Sequence, residues 1–95
     1  MEKIFWVEID HEAGSNLGYT YMRCGSLTAA KIAGIKEYAK GGVYLVSLYP
    51  QRTRKNMHRT HVYRGKNWIT GDNLRRSERP SILPLINALG KVQNL

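Results

Sequence analysis

The sequence predicts an α+β fold: one small domain in the order β-β-α-β-β-(β)-α, with a mostly antiparallel sheet and one long helix packed on one face. Three observations predict it. The chain opens on two stretches of apolar alternation at period 2, continues into a segment with helical spacing between Gly-containing stops, and then enters a β-branched, aromatic run followed by further alternation. A length of 95 residues suits one hydrophobic core, so residues 1–95 are read as a single compact domain.

The first strand is expected over residues 3–9, where Phe5, Val7 and Ile9 alternate with Trp6 and Glu8. Asp10 to Leu17 holds Gly, Ser, Asn and charged residues, the composition of a surface turn. Gly18 to Cys24 alternates again, with Tyr19, Tyr21 and Arg23 opposite Thr20, Met22 and Cys24, and completes an opening hairpin. Gly25-Ser26 stops it, and Ser26 is placed to cap a helix over Leu27 to Lys40. Thr28, Ile32, Ile35 and Ala39 recur at helical spacing and form the expected core stripe, while Lys36 and Lys40 suit the negative end of the helix and Gly41-Gly42 its left-handed stop.

Val43 to Tyr49 is nearly all apolar, the pattern of a central strand covered on both faces, and Pro50 is expected to end it. A basic loop over residues 50–58 then leads to a fourth strand, Arg59 to Arg64, antiparallel to the third. Gly65-Lys66-Asn67 turns the chain into a short edge strand, Trp68-Ile69-Thr70, and residues 70–80 read as a loose connection. Ser81 and Pro84 open a short C-terminal helix with Leu85, Ile86 and Leu89 on one face. A β-grasp-like arrangement and a split α+β sandwich both satisfy this order, because strand order within a sheet is not visible in one sequence.

Charge points to partners. Fifteen Lys+Arg stand against seven Asp+Glu, a net +8, so acidic partners are the first to consider. The excess is local. Glu2, Glu8, Asp10 and Glu12 make the start of the chain acidic, whereas no acid occurs between Glu37 and Asp72. That stretch carries Arg52, Arg54, Lys55, Arg59, Arg64 and Lys66, and Arg75, Arg76 and Arg79 follow in a second basic run. Cations on a hairpin can neutralise neighbouring phosphates and release counterions, which drives nucleic-acid binding without base specificity. These nine residues are the candidate contacts for DNA or RNA, or for an acidic protein surface. The bland alternative is a solvated surface that keeps an edge soluble.

Aromatic side chains add a second candidate surface. Alternation places Trp6, Tyr19, Tyr21 and Tyr63 on the sheet face away from the helix, with Arg23 and His61 beside them; Trp6, Tyr19, Tyr21, His61 and Tyr63 are therefore candidates for base stacking, or for a second apolar layer or homodimer interface. His58 and His61, near Lys55 and Arg59, raise a metal-independent ribonuclease as a minor reading, although an offset of three on a strand turns the two rings to opposite faces. Glu8, Asp10 and Glu12 read as surface charge or as partners of Lys3 or the basic hairpin.

Several classes have no support. A single Cys can form neither an internal disulfide nor a thiolate metal site, and Cys24 falls on a core position. No cofactor or metal is expected, and no phosphate loop, zincin or serine-hydrolase motif occurs. No apolar run approaches the length that spans a bilayer, and the N-terminus lacks a signal-peptide core, so no membrane association and a cytoplasmic location are expected. In size, charge and want of catalytic motifs the chain is similar to the small accessory proteins of phages and other mobile elements, a likeness of style that carries over no residue. The expected function is thus a non-enzymatic basic module on nucleic-acid phosphates, with an inhibitor or adaptor acting on an acidic protein as the alternative.

Overall fold

A computed structural model describes residues 4–14, 17–51, 59–70, 73–74 and 93–94. β1 (Ile4–His11) and β2 (Tyr19–Cys24) form the opening antiparallel hairpin, with Phe5 opposite Cys24 and Asp10 opposite Tyr19. α1 (Leu27–Ala39), β3 (Val43–Gln51), β4 (His61–Tyr63) and β5 (Trp68–Thr70) follow, and β6 (Gln93–Asn94) comes last. The sheet order is β5-β4-β3-β1-β2-β6. β2 and β3 flank β1 and both run antiparallel to it, so they are parallel to each other, and α1 is the connection that carries the chain across β1. β1 to β5 share antiparallel ladders, and the unforeseen β6 joins β2 in parallel at Met22 and Arg23. Among the described residues the result is a small compact α+β domain, an antiparallel sheet of five strands, joined at its edge by the short parallel β6, with one helix. No helix among the described residues is long and apolar enough to cross a membrane. The expected C-terminal helix, the loop over 52–58 and most of the 70–80 connection lie outside the described residues.

The signals at both ends of α1 act as expected. Ser26 is extended and its Oγ accepts from the Ala29 N–H at 3.1 Å, while Gly41 (φ +88°) and Gly42 (φ +75°) take the left-handed conformation past its end. The face that α1 buries is different from the expected one. Thr28, Ile32, Ile35 and Ala39 all face out, and the helix lies on the sheet through Ala30 and Gly34, flanked by Leu27, Ala33 and Tyr38. The reason is steric. Val7, Ile9, Met22, Val46 and Leu48 already fill that side of the sheet, and a Cβ on Gly34 would stand 2.8 Å from Val46 Cγ1 and 3.3 Å from the Trp68 ring. Only small side chains let the helix come this close.

Pro50 does not end β3 but pairs opposite Phe5 within it. Leu48 C=O accepts from Thr60 N–H at 2.9 Å, so the polar groups of Leu48, and by the period of two those of Pro50, point toward β4. Among the described residues the β4 ladder stops at Leu48–His61, so no described strand lies where Pro50 lacks its N–H. As the apolar run predicts, β3 is covered on both faces: Val46 and Leu48 lie under α1, and Leu45, Val62 and Leu74 form a second cluster on the far side.

Candidate functional site

On the face away from α1 the sheet holds a buried polar cluster. Glu8 lies mid-strand in β1, opposite Tyr21 on β2 and Ser47 on β3, and is 2% exposed. The Tyr21 and Tyr49 hydroxyls donate to the same carboxylate oxygen, Oε2, at 2.8 and 3.1 Å. Arg59 Nη2 donates to Oε1 at 3.1 Å and to the Tyr49 oxygen at 2.8 Å, with its guanidinium carbon 5.5 Å from the Tyr49 ring centre. A carboxylate removed from water is thus met by a guanidinium and two phenols, the pairing that a buried charge requires. Burial and the neighbouring Glu8 charge push both phenols well above their ordinary value of 10, which keeps them protonated and donating. Two positions along β1, Asp10 is also raised, first by burial and then by Glu8, with Arg59 and His11 opposing. Ser47 Oγ is buried with no hydrogen-bond partner among the described residues.

This cluster changes the place of several candidates. Arg59, expected among the phosphate contacts, is turned inward to Glu8, with its side chain 15% exposed. Glu8, expected as surface charge or a hairpin partner, is that partner. Trp6 and Tyr21 are closed to solvent, so neither offers a ring face for stacking. His61 and Tyr63 lie on the opposite side of the sheet from the expected one: they pair with Leu48 and Val46, whose side chains face α1, and Tyr63 packs against Tyr38 and Trp68 at 5.3 and 5.1 Å between ring centres. The shift follows from register, since His61 and Tyr63 share the parity of Leu48 and Val46 across the β3–β4 ladder. Of the five aromatic candidates, Tyr19 is the exposed one, at 55%. The open aromatic face is therefore not assembled.

Burial, and then the Lys31 charge, lower the pKa of His61, whose Nδ1 lies 2.7 Å from the Thr60 hydroxyl. This ring resists becoming a cation. Cys24 is buried, as expected, and desolvation raises its thiol pKa, which leaves a poor nucleophile. No group of three or more His, Cys, Asp or Glu among the described residues could hold a metal ion.

The cations divide by position. β3 and β4 are the two arms of the expected hairpin, but its connection, with Arg52, Arg54, Lys55 and His58, lies outside the described residues, as do Arg75, Arg76 and Arg79. Arg64 and the exposed Lys66 occupy the β4–β5 turn at the other end of β4, where Tyr38 of α1 donates to Arg64 C=O at 3.0 Å. Residues 59 and 64 are therefore separated by roughly 17 Å of extended chain. The buried cluster was the feature least visible in the sequence. Its one advance signal was hairpin register: a turn centred between residues 14 and 15 sets Glu8 opposite Tyr21.

The fold defines this chain as a small compact α+β domain. No family model matches the chain, and no curated protein or solved structure matches it either.

Proposed function

We propose that this chain is a basic, non-enzymatic binding module that lays the length of its β3–β4 hairpin along nucleic-acid phosphates. One observation carries the reading. The acid-free stretch between Glu37 and Asp72 coincides with β3, β4 and β5, which are contiguous in the sheet, whereas Glu8, Asp10 and Glu12 belong to β1 and the residue after it. Among the described residues, β3, β4, β5 and the turn between β4 and β5 hold no carboxylate, and Arg59, Arg64 and Lys66 flank these strands. Glu37, at the border of the acid-free stretch, is paired to Lys40 at 2.8 Å.

Arg59 drops out of the contact set because it neutralises Glu8. Arg52, Arg54, Lys55, Arg64 and Lys66 remain, with Arg75, Arg76 and Arg79 as a second group. A span of roughly 17 Å along β4 corresponds to about five phosphates on one strand of duplex DNA, so both ends of the hairpin could engage one backbone. Base stacking is not part of the reading, because Trp6, Tyr21, His61 and Tyr63 do not share an open face. In fold terms we favour the split α+β arrangement over the β-grasp-like one, since α1 joins two parallel strands that β1 separates.

Fluorescence anisotropy with a labelled duplex and a labelled single strand tests this at several salt concentrations. About five phosphate contacts predict a slope of log K against log salt near −4.5 on the duplex. A slope near zero, or binding weaker than micromolar already at low salt, would refute it. Protein partners that survive nuclease treatment in a pull-down would instead favour an acidic protein surface as the target.

A further inference from the structure

The groove between α1 and β2 gives a second, separate surface. Because Gly34 draws the helix toward Val46 and Trp68, α1 sits over β1 and β3 and leaves the helix-side residues of β2 beside a groove of about 530 Å³. Met22 and Cys24 form its floor, and Ala29, Ala33 and the 56%-exposed Ile32 form its helical wall. Its polar residues are Lys36, Glu37 and Lys40, all toward the C-terminal end of the helix.

We propose that this groove binds a single-chain anionic amphiphile, a free alkyl carboxylate, with the chain along Ala29, Ile32 and Ala33 and the head group at Lys36. Size, length and charge favour this occupant. The volume lies in the range of small-molecule sites, roughly 300–1,000 Å³ with apolar walls and few polar groups. One turn of a helix roughly 10–12 Å wide would already fill it, so a partner helix fits poorly. From Ala29 to Lys36 the groove runs roughly 10 Å at the helical rise, a length that about eight carbons cover, and the rest of a twelve-carbon chain extends past Ala29 toward Gly25.

Lys40 is bonded to Glu37, while Lys36 makes no ion pair among the described residues. The helix end contributes about half a negative charge, less than the net positive charge of the three side chains, so this end of the groove stays positive. A second copy of the chain is disfavoured, because it would bring two molecules of net charge +8 together at a groove whose own charge is positive.

Calorimetric titration of the whole protein with dodecanoate, below its micellar concentration, tests the proposal. Saturable one-to-one binding is expected, with none for dodecyltrimethylammonium. Ala29→Trp, at an exposed position, should abolish binding by filling the groove, and Lys36→Glu should weaken it about fivefold or more. Cys24 is the single cysteine, so dodecanoate should also slow thiol modification of the unmutated protein, a readout that does not depend on any variant folding. Equal binding of the two head groups, multisite binding, an unaffected Ala29→Trp variant or an unchanged Cys24 rate would each overturn the proposal. None of these outcomes bears on the phosphate reading, which concerns other residues.

Discussion

Arg59 shows how one side chain can look like surface chemistry and act as structure. In sequence it belongs to a basic run, yet in the fold its guanidinium closes the Glu8 cluster and ties the start of β4 to the middle of β1. Removing one partner of a buried pair strands the other charge, which costs roughly 3–5 kcal/mol, more than any single exposed ion pair contributes. Arg59→Ala should therefore lower the urea midpoint by an amount equivalent to about 3 kcal/mol or more, whereas Lys66→Ala, exposed in a turn, should change it by less than about 0.5 kcal/mol. Pairing Arg59→Met with Glu8→Gln should recover part of the loss, because no unpaired charge then stays buried. Equal effects of Arg59→Ala and Lys66→Ala would show that the cluster is not stabilising.

At the scale of the element, α1 separates pattern from packing. Thr28, Ile32, Ile35 and Ala39 make the more regular apolar stripe, but the sheet accepts the face with the smaller side chains, Ala30 and Gly34. Buried isoleucines would lose roughly 2–5 kcal/mol each on truncation, and exposed ones close to nothing. The double variant Ile32→Lys, Ile35→Lys should consequently keep its midpoint within about 0.5 kcal/mol of the parent, as measured by urea denaturation. A loss of several kcal/mol would mean that the expected stripe is buried after all. The five strands of the antiparallel sheet, the Ser26 cap and the Gly41-Gly42 stop were legible, because each depends on residues close in sequence. The helix rotation was not, since it depends on the volume of Val46 and Trp68, which the chain supplies later. The Tyr63 and His61 faces failed for a related reason: parity within a strand is local, but which face it meets depends on register with β3. Of the candidate site, the acid-free stretch was legible as composition, while the inward turn of Arg59 required the tertiary partner.

For the molecule as a whole, pH should act through two described groups with opposite signs. Asp10 has its pKa raised above the ordinary 3.8, mainly by burial, so the folded chain holds this proton more tightly than the unfolded one. Its contribution to stability is full below 3.8 and is lost as pH rises through its folded pKa. His61 has its pKa lowered below 6.5, mainly by burial, so the unfolded chain binds this proton more readily. Its contribution is present above 6.5 and is lost as pH falls through its folded pKa. Net charge adds to the second trend, because a chain already at +8 gains further repulsion as carboxylates protonate. Urea midpoints measured from pH 4 to pH 8 should therefore rise between the lowered His61 pKa and 6.5, and His61→Gln should flatten that rise. Asp10→Asn should remove a fall with pH on the acid side and leave the protein more stable than its parent at neutral pH, where the parent must hold a half-buried carboxylate beside Glu8. A neutral-pH loss in Asp10→Asn would mean that the Asp10 charge is stabilised by its surroundings, and that Arg59 serves two carboxylates rather than one.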